Sequence, residues 1–535
     1  MSKTVSIKWT KNTYEVALPP TLGEFKAELQ TLTNIPIDRQ KIVCKGKAIT
    51  DDGLYSALAD KAVIMLIGSA ASIQITQTVQ NADIQDSIVL PPGLDNLGNT
   101  CWLNSSLKAF YSIPELRTAL INFSTEHGAQ NCKNHVCQHH TAASINSGLP
   151  QPTADEINLV VTVGNLYKEV TANIEKSQSG QAFDEAIKPV PLLLNIAKVY
   201  PDLFDLTAQQ HEQQDVDEFL TYFITTLNKI LITHNETDKT NKNLIQELFG
   251  IDIEIVTEPA CKADDGDNKT NSEDEKTDTT MNDGEGAEKK AAESQKVITF
   301  DAWTKLRADV NVDLTDIQGG IKAALREVIE KNVVTGGLTV KTSFNRNNLI
   351  ISLPKYLLVQ LQRFQWKQET QSKAKLIRRV NINQSIDLFP LCSAETQKKI
   401  EPFRKTLDSL RAETLAAANG DKMTDLDGPK KEPKQDEKAG YYDLCAIITH
   451  QGRSADSGHY VAWTKTNAGS KYEQNMLTGM TEKEKEKWKE LQTGKAWIKH
   501  DDTKMSFSSD KILTDLAGGG DFHIAYICIY KTQGQ

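Results

Sequence analysis

An α+β chain in two parts is predicted by three observations. The first seventy residues run strand, strand, helix, strand, strand; helical apolar stripes follow Cys101 and Asp215; and the stretch from 441 to 530 is rich in strands. In TVSIKW (4–9), Val5, Ile7 and Trp9 share a face, Lys11-Asn12 turns, and Tyr14, Val16 and Leu18 line a second strand, which makes a hairpin. Thr21 can cap a helix with Leu22, Phe25, Leu29 and Leu32 on one side; Ile35-Pro36 ends it, and QKIVC (40–44) and AVIMLI (62–67) supply two more strands. Residues 71–90, rich in Ser, Gln, Ala and Asp, read as a linker between a domain at 1–70 and one at 91–535. In the second domain, Leu103, Leu107 and Phe110 fall at helical spacing, as do Val216, Phe219 and Leu220. YYDLCAIITH, HYVAWTK, AWIKHDD and FHIAYICIY then predict neighbouring antiparallel strands of one sheet.

Two stretches interrupt this second domain. Residues 262–296 carry eleven acidic and six basic residues and no aromatic, Leu, Ile or Val, so they cannot bury enough surface to offset their ordering entropy. Residues 420–440 follow the same logic, and MTEKEKEKWKELQ (480–492) reads as an exposed charged helix. Across the chain, 61 Lys and Arg stand against 71 Asp and Glu, a net charge of −10 with no basic stripe, which argues against nucleic acid or an anionic membrane as partner and favours a basic peptide. No apolar leader opens the sequence, and the passage NLIISLPKYLLVQL is broken by Ser352, Pro354 and Lys355 well short of a membrane span. A cytoplasmic or nuclear protein follows, and the eight scattered cysteines fit reduced thiols.

The chemistry centres on GLDNLGNTCWLNSSLKAFY (93–111), where a glycine-containing turn delivers Cys101 to the start of a helix. First-turn N–H groups and the helix dipole favour a thiolate there, but for a lone cysteine a buried structural role is the favoured reading until a base is found. His459 follows QGRSADSG and opens a strand, and Asp501 ends a neighbouring one, so both can stand at the rim of the sheet. By spacing alone His450 and His523 are equally strand-borne, and Asp502 and Asp521 equally placed at the rim, which leaves base and orienting acid undecided. Asp215 and Glu218, at the start of the second helical stripe, are either a solvated face or a receptor for two basic side chains. HGAQNCKNHVCQHH (127–140) has Cys and His at Cys-x4-Cys-x-His-His spacing, which favours a polar surface loop over a zinc site.

The motifs in order, GLDNLGNTCWLNS, QQDVDEFL, LVQLQRF and YYDLCAIITHQGRSADSGHYVAW with WIKHDDTKMS, resemble the cysteine box, second box, following strand and histidine box of the ubiquitin-specific protease family. The first domain resembles ubiquitin in its strand lengths, its Ile35-Pro36-Ile37-Asp38-Arg39-Gln40 turn and its Lys45-Gly46-Lys47 turn. It lacks a terminal Gly-Gly, so it is expected to be an uncleaved recognition module; the resemblance puts a docking patch near Val43 and Leu66, and packing in the domain's own core is the equal alternative for both. The resemblance implies a ubiquitin-like β-grasp domain followed by a papain-like catalytic domain with fingers, palm and thumb. It implies Cys101 as nucleophile, His459 as general base, Asp501 as orienting acid with Asp502 the alternative, and Asn96 as oxyanion donor. Gln213, Asp215, Glu218 and Gly458 would bind the basic, glycine-ended tail of ubiquitin. No metal or other cofactor is implied, since Cys261 alone stands near the cysteine pairs that hold zinc in the fingers of many relatives. With its N-terminal domain the chain is most similar to the family's proteasome-associated member. That implies ubiquitin conjugates as substrates, the 26S proteasome regulatory particle as partner, a monomer when free, and a tail groove covered by QGRSADSG and QWKQETQSKAK until docking. A non-catalytic ubiquitin-binding adaptor is the alternative.

Overall fold

The computed structural model describes residues 3–9, 12–33, 37, 40–44, 47–49, 53, 55 and 62–67, and then 90–533 except 129–149, 179–185, 205–212, 236–239, 261–295, 336–337, 368–371, 419–437, 453–456, 466–496 and 521. The Cys/His stretch from 129 to 140, Cys261, the two insertions apart from their last residues, and 480–492 lie outside the described residues. Contacts divide the chain into two units, Met1–Ser87 and Ile88–Gln535.

In the first unit the alternation of Val5 and Ile7 in β1 (Thr4–Trp9) buries both, and β2 (Asn12–Ala17) pairs back on it from Trp9↔Asn12 outward. Helix α1 (Leu22–Thr33) turns Leu22, Phe25 and Leu29 inward; β3 (Lys41–Cys44), a two-residue β4 (Lys47–Ala48) and β5 (Ala62–Ile67) complete a sheet of order β2-β1-β5-β3-β4. Strands β1 and β5 run parallel. Of the two readings of Val43 and Leu66, Leu66 takes the core one, being 3% exposed, while Val43 is half-buried. With a side-chain period of two, the outward residues of β5 are Val63 and Met65, about half exposed, and Met65 lies opposite Val43.

Among the described residues of the second unit, the helices ahead of residue 231 are α2 (Cys101–Tyr111), α3 (Pro114–His127), α4 (Ala154–Gln178), α5 (Val190–Val199) and α6 (Val216–Ile230). Strands follow as β6 (Ile251–Pro259), β7 (Val297–Trp303), β8 (Leu306–Ala308), β9 (Arg326–Thr335), β10 (Leu338–Ile350), β11 (Tyr356–Leu361), β12 (Phe364–Lys367), β13 (Ser372–Lys375), β14 (Ser385–Asp387), β15 (Tyr441–Gln451), β16 (His459–Lys465), β17 (Trp497–Asp501), β18 (Lys504–Ser508) and β19 (Ile524–Thr532). One sheet has the order β7-β6-β10-β9; the larger has β8-β11-β19-β15-β16-β17-β18 with β14 added on β15; and β12 and β13 form a separate hairpin.

Helix α2 lies against β16 and β15 on one side and α6 on the other, and every one of its residues is buried. A helix so enclosed must satisfy its own polar groups. Ser105 and Ser106 donate back to the Trp102 carbonyl, and the Lys108 ammonium donates to the carbonyl of Pro92. Trp102 is fully buried with its ring edge-on to Phe219 and near Phe204, which locks α2 against α6. The amphipathic spacing of α6 buries Val216, Phe219, Leu220, Phe223, Ile224 and Leu227 against that helix layer. The N-terminus of α2 is thereby held at the edge where β16 and β17 begin and end.

Candidate active site

Cys101 is the first residue of α2, 2% exposed, and it is delivered by a turn built on the side chain of Asn96. The Asn96 carbonyl oxygen accepts from the Gly98 and Thr100 N–H groups, both at 3.1 Å, and Thr100 Oγ1 accepts from the Leu97 N–H at 2.9 Å. Gly98 (φ 100°) and Asn99 (φ 53°) take left-handed conformations that glycine and asparagine tolerate best, which accounts for the Gly-Asn pair ahead of the cysteine.

Across from the thiol, His459 opens β16. Its Nε2 lies 2.6 Å from Asp501 Oδ1, and a hydrogen bond on its other side reaches Cys101, which leaves Nδ1 for the thiol. The backbone N–H of Tyr460 donates to Cys101 Sγ at 3.4 Å. The hydrogen bond to Asp501, then that to Cys101, pushes the His459 imidazolium up to about 10, against the opposing effect of burial. Asp501 is held well below the usual carboxylate range, first by His459 and further by Lys499, whose Nζ is 2.7 Å from the other oxygen. Lys499 in turn sits over the Trp463 ring at 5.6 Å.

The neighbouring aspartate faces elsewhere. Asp502, in a left-handed conformation (φ 51°), accepts from Asn96 Nδ2 at 2.9 Å and from Asn104 Nδ2 at 2.8 Å, and its carbonyl accepts from the Leu94 N–H. One carboxylate therefore addresses the imidazole and the other addresses the asparagine. The Asn96 amide nitrogen carries a second hydrogen, and its side-chain oxygen holds the N–H of Thr100, the residue before Cys101. His450 is fully buried and pushed down to about 3, chiefly by burial and then by Lys375. His523 lies edge-on to His459, with centroids 5.9 Å apart, and is likewise pushed down to about 3 by burial and then by Lys499 and His459. Both stay neutral near pH 7, and His459 alone of the three makes a hydrogen bond to the thiol. Asp521 is outside the described residues.

Of the remaining expected positions, Asp215 caps α6 by accepting from the Asp217 N–H at 2.8 Å, and its two oxygens lie 2.9 and 3.0 Å from the Tyr526 hydroxyl. Gln213 is 7% exposed, and its Nε2 has no hydrogen-bond partner among the described residues; a buried donor in that state is costly unless a ligand supplies an acceptor. Glu218 is exposed on α6. Gly458 immediately precedes His459 with φ 143°, where a side chain would run into the Gln451 carbonyl. Tyr526 and Lys499 are contacts that sequence reasoning missed. Neither leaves a local signal: Lys499 stands beside His500 and Asp501 in β17, and Tyr526 is one of two tyrosines in β19.

Among the described residues, His459, Asp501 and Asp502 are the group whose donor atoms come within metal-binding range of one another. Lys499, Asn96, Asn104 and the His459–Asp501 pairing already occupy those atoms with protein donors. The arrangement is suited to nucleophilic acyl transfer: a thiol, an imidazole to take and return its proton, a carboxylate to orient the imidazole, and an amide on the turn that delivers the thiol.

The sequence pattern of the family described as ubiquitin carboxyl-terminal hydrolase matches residues 92–530. Over 99% of both chains, the sequence is 29% identical to ubiquitin carboxyl-terminal hydrolase 6 and 27% identical to ubiquitin carboxyl-terminal hydrolase 7, both of Arabidopsis thaliana. It is 27% identical to ubiquitin carboxyl-terminal hydrolase 14 of Caenorhabditis elegans over 99% of this chain and 93% of that one.

Proposed function

Because the chain belongs to the ubiquitin carboxyl-terminal hydrolase family and is a cysteine-type deubiquitinase acting on ubiquitin conjugates, we propose that it trims ubiquitin at the proteasome with Cys101 as its nucleophile. The observation that carries the site assignment is the line from Cys101 through His459 to Asp501, closed at 2.6 Å on the carboxylate side. His459 holds the thiol proton, so that Cys101 and His459 stand as a thiolate–imidazolium pair, and the thiolate attacks the carbonyl of ubiquitin's last glycine. The free hydrogen of the Asn96 amide meets the oxyanion, and His459 returns its proton to the departing lysine amine. Water, deprotonated by His459, then cleaves the thioester and regenerates Cys101. Asp501 keeps Nδ1 aimed at the sulfur and stabilises the imidazolium between the steps.

The buried, unpartnered amide of Gln213 fits a backbone acceptor in ubiquitin's extended tail, and the Asp215 carboxylate fits a basic residue of that tail. Glu218, exposed nearby on α6, is a second acidic contact. Asp502 acts through Asn96: Asp502→Ala frees that amide to rotate. Turnover then falls by at most the roughly 10²–10³-fold cost of losing one oxyanion donor, with KM little changed. Steady-state kinetics on a ubiquitin C-terminal amide reads this, and a change confined to KM counts against the assignment.

The docking role rests on the first unit. Its strand order β2-β1-β5-β3-β4 with helix α1 supports a ubiquitin-like module, as does the match to relatives along nearly their whole length. On this reading the enzyme works as a monomer in the cytoplasm and nucleus, is weakly active when free, and gains activity on the 26S proteasome regulatory particle. Purified proteasome should accelerate hydrolysis of a ubiquitin amide by the full chain and leave a chain lacking residues 1–70 unaffected. Equal rates with and without proteasome overturn the docking role.

A further inference from the structure

We infer that Lys375 is a positioning residue for hydrolysis, tying the β12–β13 hairpin to the turn that delivers His459 and so holding that imidazole opposite Cys101. The inference rests on the reading of Cys101 and His459 as the reacting pair. Three acceptors converge on the Lys375 ammonium: His450 Nδ1 at 2.8 Å, the His450 carbonyl at 2.8 Å and the Gly452 carbonyl at 3.0 Å. They lie at the end of β15, one residue either side of Gln451, which is paired with His459.

The tautomer of His450 follows from this contact. An ammonium only donates, so Nδ1 must accept and the ring proton sits on Nε2, with His450 neutral. Burial favours the same neutral form. Around that ring there is little freedom. Phe364, directly across the hairpin from Lys375, meets it edge-on at 5.5 Å, and Tyr460 packs at 4.6 Å. The turn closes on the same ring: a Cβ on Gly458 would stand 2.6 Å from His450 Nε2, and one on Gly452 would stand 2.9 Å from Gly458 Cα. His450 is thus a peg over which the chain returns to His459. Lys375 holds the peg from the hairpin side, so a displacement of β13 is transmitted to the residue paired with the catalytic imidazole.

The test compares full-length wild type with Lys375→Met, Lys375→Arg and His450→Leu, the last two serving should the methionine variant fail to fold. Steady-state hydrolysis of a ubiquitin C-terminal amide and the pH profile of Cys101 alkylation by iodoacetamide are the readouts. Lys375→Met and His450→Leu are expected to lower kcat by about 10–100-fold with KM little changed, the size of effect that a small misplacement of a reacting group produces. Both should also alter the alkylation profile, because the imidazole no longer faces the thiol. Lys375→Arg, which keeps donors for the carbonyls, should recover most of the rate. A kcat loss below about twofold, or a loss with the alkylation profile unchanged, overturns the inference. Failure of the underlying reading looks different: the wild type itself would be inactive, or Cys101→Ala would retain activity.

Discussion

Cys101→Ala is expected to lower hydrolysis of ubiquitin conjugates by about 10⁴-fold or more while leaving ubiquitin binding intact. The thiol is the one nucleophile that α2 presents to His459, and removing it leaves no group to form the acyl intermediate. The residues expected to hold ubiquitin's tail, Gln213 and Asp215, belong to the start of α6 and keep their surroundings. His459→Ala should lose nearly as much, because a nucleophile without its base and a base without its nucleophile both break the same unit, and the double variant should be scarcely worse than either single one. Turnover of a ubiquitin C-terminal amide, paired with calorimetric titration of ubiquitin into each variant, separates chemistry from binding. Losses that multiplied in the double variant would mean that the two side chains act independently.

The second large effect belongs to Asp501. Its hydrogen bond is the leading cause that pushes His459 up to about 10, so in the wild type the imidazolium survives through neutral pH and the alkaline limb of activity lies near pH 10. The direction is set by the sign of the shift: activity that needs a protonated His459 is present below that value and is lost as pH rises through it. Asp501→Asn removes the negative charge and allows the ring to turn. The alkaline limb then moves down toward the ordinary imidazole range near 6.5, and kcat falls by about 10²–10⁴-fold. Profiles of kcat/KM from pH 5 to 10.5 measure both. An alkaline limb that stays in place in Asp501→Asn would assign the orienting role to another group. Lys499, on the second carboxylate oxygen, makes the same aspartate less able to rotate and so sharpens the contrast between the two enzymes.

Much of this site could be read in the sequence because its parts sit at the boundaries of elements. Cys101 follows a Gly-Asn turn and starts a helix, and His459 follows a glycine and starts a strand; both kinds of boundary leave a residue-level trace. The choice between Asp501 and Asp502 leaves none. Two adjacent carboxylates differ only in which way the backbone turns, and the left-handed conformation of Asp502 that sends it to Asn96 and Asn104 is created by packing between distant segments. The sequence leaves Leu66 open between patch and core for a related reason. AVIMLI is apolar throughout, so its period-two alternation is invisible until β5 pairs with β1 and β3 and selects a face. The two-residue β4 is too short to carry any pattern. Lys375 and Tyr526 are single polar side chains whose partners lie 75 and 311 residues away, and no local signal reports a contact of that range.

The most direct measurement is labelling of the full-length protein by ubiquitin bearing an electrophile at its C-terminus, followed by peptide mass spectrometry to locate the adduct. The expected result is one adduct on Cys101, formed by wild type, absent in Cys101→Ala and greatly slowed in His459→Ala. An adduct on another cysteine, or labelling that persists without Cys101, would contradict the assignment of the nucleophile.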